Sequence, residues 1–260
     1  MKDSLDIALI QSDLVWENAS KNRDMFSEKI RAITTSIDLI ILPEMFTTGF
    51  TMNAVEVSEM MSGDTVQWLT QMAKEKNCAI AGSLSIAEEG KYYNRLIFMQ
   101  PDGAYDTYDK HQLFTLAREN EVFTAGQEEV IVEYLGWKIK LQICYDLRFP
   151  VWARNTCEYD VVLYVASWPR PRINAWDILL QARAIENMCY CIGVNRVGTD
   201  GKGFEYNGHS AVYDVLGNSI SKENPVEKEY TLLATLEKSH ISRVREKLPF
   251  LKDRDHFKLL

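Results

Sequence analysis

The sequence predicts an α/β protein built on mixed sheets. Three observations predict it. Short, almost wholly apolar stretches at Asp38–Leu42 and Asp160–Ala166 read as strands buried on both faces. Stretches at Asp64–Asn77 and Asn174–Met188 place apolar side chains at helical spacing along one face. Turn signals such as Pro101-Asp102-Gly103 and Leu135-Gly136 join other strands directly as hairpins, so the sheets are not purely parallel.

Taken in order, Leu5–Gln11 reads as the first strand and Asn18–Ile37 as the first helix, with Met25, Ile30 and Ile33 among its apolar positions. Asp38–Leu42 runs into the loop Pro43-Glu44-Met45-Phe46-Thr47-Thr48-Gly49-Phe50. Asp64–Asn77 is a helix whose apolar face is Val66, Leu69, Met72 and Ala73. Strands at Cys78–Ile86 and Tyr92–Met99 are joined through Glu88-Glu89-Gly90, and Ala104–Asp109 returns antiparallel. Lys110–Gly126 has little clean period, which suggests an ordered loop with short helical pieces. Val130–Tyr134 and Trp137–Ile143 form a hairpin, a short helix opens at Pro150, and Asp160–Ala166 is a strand. The helix Asn174–Met188 shows Trp176, Leu179, Leu180, Ala184 and Met188 on one face. Tyr190–Val197 is a strand, Gly198–Gly208 a glycine-rich hairpin loop, and Ser210–Tyr213 a continuation of the sheet. Late strands follow from Ser219 and at Tyr230–Leu236. Ser239–Lys247 is a terminal helix, capped by Ser239 and stopped by Pro249.

The bulk numbers narrow the function. A chain of 260 residues with 46% hydrophobic and 25% charged residues is ordinary for a globular enzyme. No linker, repeat or low-complexity segment divides it, so residues 1–260 are expected to form a single domain. A net charge of −8 argues against a nucleic-acid partner. No apolar run reaches the roughly 20 residues of a membrane span, and the N-terminus lacks a signal-peptide core. The five cysteines form no C-x-x-C pair and are odd in number, which suits free thiols in a reducing cytoplasm. Cys189-x-Cys191 sits in an apolar run and reads as strand packing, so no metal site is expected there.

Chemistry collects at three strand ends. Leu42 runs into Glu44, Tyr108-Asp109 into Lys110, and Ile143 into Cys144, and sites in α/β sheets usually sit just past such ends. A free cysteine taken alone is most simply a core residue. At Cys144, however, the alternation of Trp137–Ile143 stops, and Tyr145-Asp146-Leu147-Arg148-Phe149-Pro150 breaks the chain into a turn and a helix start. Backbone N–H groups left free there stabilise a thiolate, or the oxyanion formed when it attacks a carbonyl. A lysine lowers a thiol's pKa, and a glutamate takes its proton and later activates water. A Cys–His pair is the alternative. His240 and His256 lie in the tail, His111 on an extended backbone points away from its neighbour Lys110, and His209 suits a structural role. Asp146 and Arg148 are expected to pair and hold the turn, Arg183 and Glu186 to form an ordinary helical ion pair, and Trp137 and Trp176 to lie in the core.

Pro43-Glu44-Met45-Phe46, Asp109-Lys110-His111-Gln112-Leu113-Phe114 and Cys144-Tyr145-Asp146-Leu147-Arg148-Phe149-Pro150 resemble, in order and spacing, the catalytic blocks of the nitrilase (carbon–nitrogen hydrolase) superfamily. Ala182-Arg183-Ala184-Ile185-Glu186-Asn187 and Gly208-His209-Ser210 resemble further family blocks, so the likeness covers nearly the whole chain. The resemblance implies a four-layer αββα sandwich, usually in a homodimer or larger homo-oligomer. It implies Glu44 as general base, Lys110 as stabiliser of the tetrahedral intermediate, Cys144 as nucleophile and the Tyr145 backbone N–H as oxyanion donor. A second glutamate near the lysine matches Glu119 best, with Glu121 as the competitor. No metal or organic cofactor is implied. The blocks around Glu44 and Cys144, with Ser167-Trp168-Pro169, most resemble the omega-amidase branch, whose substrates are small ω-amides of 2-oxo dicarboxylic acids. The alternatives are another small-amide or N-carbamoyl hydrolase of the superfamily, then a true nitrilase, and, from a different class, a catalytically silent binding subunit.

Substrate capture is expected on the same rim. Prolines on either side of Arg170 stiffen Pro169-Arg170-Pro171-Arg172, and a held guanidinium suits a carboxylate. Arg172 is the expected anchor, with Phe46, Phe114 and Trp168 walling a short aliphatic chain.

Overall fold

The structure is a computed structural model and describes residues 2–221 and 226–258. It opens with β1 (Ser4–Gln11), α1 (Ala19–Ala32), β2 (Leu39–Ile41), α2 (Ala54–Val57) and α3 (Asp64–Lys76). The hairpins β3 (Ala79–Glu88), β4 (Lys91–Met99) and β5 (Tyr105–Asp109) complete the first half. The second half has β6 (Ile131–Tyr134), β7 (Trp137–Ile143), α4 (Pro150–Ala153), β8 (Val161–Val165), α5 (Ile173–Asn187) and β9 (Tyr190–Val194). Short strands β10 (Val197–Thr199), β11 (Glu205–Asn207) and β12 (Ala211–Tyr213) lead to β13 (Tyr230–Glu237) and α6 (Lys238–Lys247).

Two mixed sheets result. One runs β13-β1-β2-β3-β4-β5 and the other β12-β9-β8-β7-β6, with β10 and β11 as a separate two-stranded ribbon. β1, β2 and β3 are parallel neighbours, as are β7, β8 and β9, and the outer strands pair antiparallel. The inner faces of both sheets meet in one apolar cluster that includes Leu9, Ile41 and Phe98 from the first sheet and Leu141, Leu163 and Ile192 from the second. The first sheet's outer face packs on α1 and α3 through Phe26, Ile30, Leu69 and Met72. The second sheet's outer face packs on α5 through Trp176, Leu180 and Ala184. The order helix, sheet, sheet, helix is the four-layer sandwich, and it explains the two-face burial of β2 and β8.

Local chemistry sets most boundaries. The Asn18 side chain caps α1 by accepting from the Lys21 N–H at 3.1 Å. α3 ends on Asn77 in the left-handed region, φ 50°. The Glu89-Gly90 and Leu135-Gly136 turns carry positive φ at both central residues, the geometry that matches strand twist in two-residue hairpins.

The sequence reading departs from the structure at identifiable places. α1 stops at Ala32 rather than reaching Ile37, because Ile33 turns extended, φ −72° and ψ 109°, and the Thr34-Thr35-Ser36 run that follows disfavours helix. The strand expected over Tyr190–Val197 breaks after Val194. There the Asn195 side chain accepts from Trp168 N–H and donates to the carbonyls of Trp168 and Gly208, replacing ladder bonds with its own. α6 begins at Lys238, so Ser239 lies inside it and is not its cap. The strand expected from Ser219 is reduced to a bridge with Tyr213, and its continuation over residues 222–225 lies outside the described residues.

Candidate active site

β2, β5, β7 and β8 end on one rim, and each delivers a polar group there. Past β2 the chain turns sharply, with Met45 at φ 45°, and the Glu44 side chain is directed inward with no exposed surface. Its Oε1 accepts from Lys110 Nζ at 2.9 Å and from Asn94 Nδ2 at 2.8 Å, while Oε2 accepts from the Ser167 N–H at 2.8 Å. Lys110 follows β5 directly. A Cβ on Gly126 would stand 2.2 Å from the Asp109 carbonyl oxygen, so only glycine lets the returning loop press this close.

The loop between β5 and β6 decides the second carboxylate. Arg118 takes a left-handed turn, φ 61°, between two short 3₁₀ turns, and this carries Glu119 inward. Lys110 Nζ donates to Glu119 at 3.0 and 2.9 Å, and Glu119 Oε2 also accepts the Phe114 N–H at 2.6 Å. Glu121 faces outward and pairs with Arg118. Glu119, and not Glu121, therefore stands beside Lys110.

Cys144 occupies the first turn after β7 with φ 46°, a left-handed backbone that a non-glycine residue adopts only when its surroundings impose it. Its thiol interacts with the Glu44 carboxylate and the Ser167 N–H, and its charge is felt at Lys110. Tyr145 is the second residue of a 3₁₀ turn over Cys144–Arg148, a position whose N–H has no carbonyl one turn back to pair with.

Charge balance sets the protonation. Burial opposes the Lys110 ammonium, but Glu119 and Glu44 outweigh it and hold the pKa above the ordinary lysine value. Burial pushes the Glu119 carboxyl up against the pull of Lys110. Burial and then the Glu44 charge push the Cys144 thiol well up, against Lys110 and the Ser167 N–H. The expected downward pull of Lys110 on the thiol is present. Desolvation and the Glu44 charge outweigh it.

Above these groups opens a cavity lined by Phe50, Met52, Phe114, Trp168, Tyr206 and two arginines, Arg148 and Arg172. The Arg172 guanidinium lies 5.1 Å from the Phe114 ring centre and that of Arg148 lies 4.9 Å from Trp168. Arg170 points away and pairs with Glu227 at 2.8 Å. Phe114 and Trp168 stand where the sequence suggested, on the cavity wall. Phe46 does not. It is fully buried on the far side of the first sheet, 5.5 Å from Phe26 and 5.8 Å from Trp68, because the turn at Met45 sends alternate side chains to opposite faces. Phe50 and Met52 line the cavity instead.

The expected Asp146–Arg148 pair is also absent. Asp146 binds backbone N–H groups, and Arg148 faces the cavity. The reason is that the 3₁₀ turn directs the two side chains apart. Arg183 pairs with Glu186 at 2.9 Å but is buried, and it donates to the Leu147 carbonyl at 2.6 Å, so it holds the cysteine turn as well. His111 stacks on Trp152 with ring centres 3.6 Å apart, and His209 pairs with Asp177 at 2.9 Å. Neither histidine lines the cavity with Cys144. Sequence reasoning missed Asn94 and Arg148. Asn94, a fully buried amide within a strand, did carry a signal, since a polar residue ahead of the apolar run Leu96–Met99 needs a polar partner.

Fold and site define a class: an α/β sandwich enzyme with a thiol, two carboxylates and an ammonium gathered on one sheet rim. The family model for carbon-nitrogen hydrolase matches residues 6–246, and the chain belongs to that family. Omega-amidase YafV of Escherichia coli K12 is 43% identical over 255 residues, covering 98% of each chain. The 2-oxoglutaramate amidase of Bacillus subtilis is 32% identical, covering 95% of this chain and 96% of that protein. The crystal structure of XC1258 from Xanthomonas campestris, a CN-hydrolase superfamily protein, superposes with TM-score 0.96 at 40% identity, over 99% of this chain and 100% of that one.

Proposed function

We propose that the protein is an omega-amidase that hydrolyses the ω-amide of a 2-oxo dicarboxylic acid, such as 2-oxoglutaramate or 2-oxosuccinamate, through a cysteine thioester. The observation that carries the reading is Lys110 shared between Glu44 and Glu119 beneath a cavity whose wall presents Arg148 and Arg172. The names of the Escherichia coli and Bacillus subtilis relatives support the same substrate class.

In this reading Glu44 takes the thiol proton as Cys144 Sγ bonds to the amide carbon. Charge gathers on the carbonyl oxygen, and the Lys110 ammonium and the Tyr145 N–H stabilise it. The C–N bond then breaks, the proton passes from Glu44 to the leaving nitrogen, and ammonia departs. Glu44 next deprotonates a water that attacks the thioester, and the acid leaves as the thiol regains its proton. Glu119 holds the Lys110 ammonium and stays unreacted. Arg172, aided by Arg148, binds the carboxylate of the 2-oxo acid end. Phe114, Trp168 and Phe50 exclude water from the chain between.

The reading takes residues 1–260 as one catalytic domain acting on a small molecule in the cytoplasm. It includes a homodimer or larger homo-oligomer, supported by Ile178 and Ile185, exposed on the outer face of α5. Among the described residues no helix is long and apolar enough to cross a membrane.

The test is ammonia release from a panel of small amides with 2-oxoglutaramate and glutamine side by side. A clear preference for 2-oxoglutaramate is expected. Equal rates on glutamine, or faster release from an amide without a carboxylate, would reject the substrate class.

A further inference from the structure

Between the segment that carries Lys110 and the turn that carries Cys144 stands a carboxylate that the reaction does not use. Asp146 is fully buried. Its Oδ1 accepts the Gln112 N–H at 2.8 Å, and its Oδ2 accepts the Tyr108 hydroxyl at 2.7 Å and the Ile143 N–H at 2.9 Å. The Tyr108 hydroxyl accepts in turn from Trp152 Nε1 at 2.9 Å. Residues 108 and 112 bracket Lys110, and residue 143 precedes Cys144. Among the described residues, every side-chain or backbone hydrogen bond between residues 108–112 and 143–146 ends on Asp146.

The chemistry of this arrangement is demanding. Asp146 makes no ion pair among the described residues, and burying a carboxylate without a cation is costly. What the ionised carboxylate offers is two oxygens that only accept, matched to three donors. An amide of the same shape would turn an NH₂ toward an N–H. The Ile143 N–H that Asp146 binds also lies next to the left-handed backbone of Cys144, φ 46°, a conformation that persists only where neighbours over-determine it.

We propose that Asp146 is a positioning residue, whose acceptor-only carboxylate locks the cysteine turn to the lysine segment and thereby sets the approach of the Cys144 thiol to Lys110 and Glu44. The proposal rests on the reading that those three groups carry the reaction. It assigns Asp146 no contact with substrate.

Protonation should loosen the lock. Burial raises the Asp146 carboxyl to about 6, with the Ile143 and Gln112 N–H groups, Tyr108 and Lys110 pulling the other way. Tyr164 from β8 also senses its charge. An O–H formed there would meet donors. Because the folded-state pKa lies above the ordinary 3.8, the native state binds this proton first, and this group's contribution to stability improves as pH falls through about 6. Activity and stability should therefore move in opposite directions at this residue, which a purely structural carboxylate would not produce.

The experiment compares wild type, Asp146→Asn, Tyr108→Phe and Cys144→Ala for ammonia release from the best amide of the panel between about pH 5 and 8. Asp146→Asn is expected to lower kcat about 30-fold while KM stays within about 3-fold, since the arginines are untouched. The ratio of wild-type to variant kcat should shrink as pH falls through about 6, because wild type then loses the same lock. A variant kcat within about 3-fold of wild type, a pH-independent ratio, or a KM rise matching the kcat loss would each overturn the proposal. Should Asp146→Asn fail to fold, Tyr108→Phe decides. It deletes one donor and leaves both backbone contacts, and is expected to cost about 3–10-fold in kcat at constant KM; unchanged kcat overturns the lock. Ammonia release by Cys144→Ala, by contrast, would sink the thioester reading itself, whatever Asp146 does.

Discussion

At the floor of the cavity Lys110 is shared between two fully buried carboxylates, and each charge has its partners within 2.6–3.0 Å. At the wall of the same cavity the Arg148 and Arg172 guanidinium groups stand over the Trp168 and Phe114 rings and pair with no carboxylate among the described residues. The two regions differ in how their charges are held. Buried, mutually satisfied charges gain little net stability, because desolvation offsets their attraction, but they hold one geometry. Such a set is preorganised and needs nothing from the substrate to reach its working arrangement. Arginines stacked on rings are orientated while their donor edges stay free for an anion. In the proposed reading the floor carries the chemistry and the wall the recognition.

The contrast can be broken most directly at the sulfur. Cys144→Ala is expected to abolish ammonia release and to leave the thermal transition nearly in place, since removing one sulfur at a partly exposed strand end opens little cavity. Iodoacetamide should likewise stop the enzyme by labelling Cys144. Cys78, Cys189 and Cys191 are buried, and the exposed Cys157 lies outside the cavity, so its labelling should leave activity unchanged. Full labelling at Cys144 with surviving activity would assign the nucleophile elsewhere.

Next in size come the floor charges. Glu44→Gln, Lys110→Met and Glu119→Gln should each lower kcat by about 10²–10³-fold, the order found on removing an oxyanion donor. Retention of more than about a tenth of the wild-type rate in the first two, a loss under roughly 1.4 kcal/mol, would defeat their assigned roles. Steady-state kinetics on 2-oxoglutaramate measures this.

Wall substitutions should read differently. Arg172→Met is expected to cost about 10–100-fold in kcat/KM on 2-oxoglutaramate, through KM, and much less on a neutral amide. Arg148→Met should do the same to a smaller degree. Equal losses on charged and neutral amides would mean that the carboxylate binds elsewhere.

The smallest effect sharpens the boundary of the floor. Glu121→Gln removes only a surface pair with Arg118 and should leave kcat within about 2-fold of wild type. If Glu121→Gln and Glu119→Gln lose activity equally, the loop between β5 and β6 takes another conformation during turnover.

What could be read from the sequence alone was what local pattern controls. Strands and amphipathic helices announce themselves by period, so β2, β7, β8, α3 and α5 were legible, and with them the residues at the strand ends, Glu44, Lys110 and Cys144. Past a strand end the period stops, and a side chain's direction depends on single turns. A left-handed Met45 sent Phe46 into the outer core and brought Phe50 and Met52 to the cavity. A left-handed Arg118 chose Glu119 over Glu121, and a 3₁₀ turn separated Arg148 from Asp146. Those turns are imposed by contacts between distant segments, such as the Met45 N–H on Ser83 Oγ and the Gln112 N–H on Asp146. Hydrogen bonds between segments distant in sequence leave no periodic trace in it, and only the packed sandwich decides them.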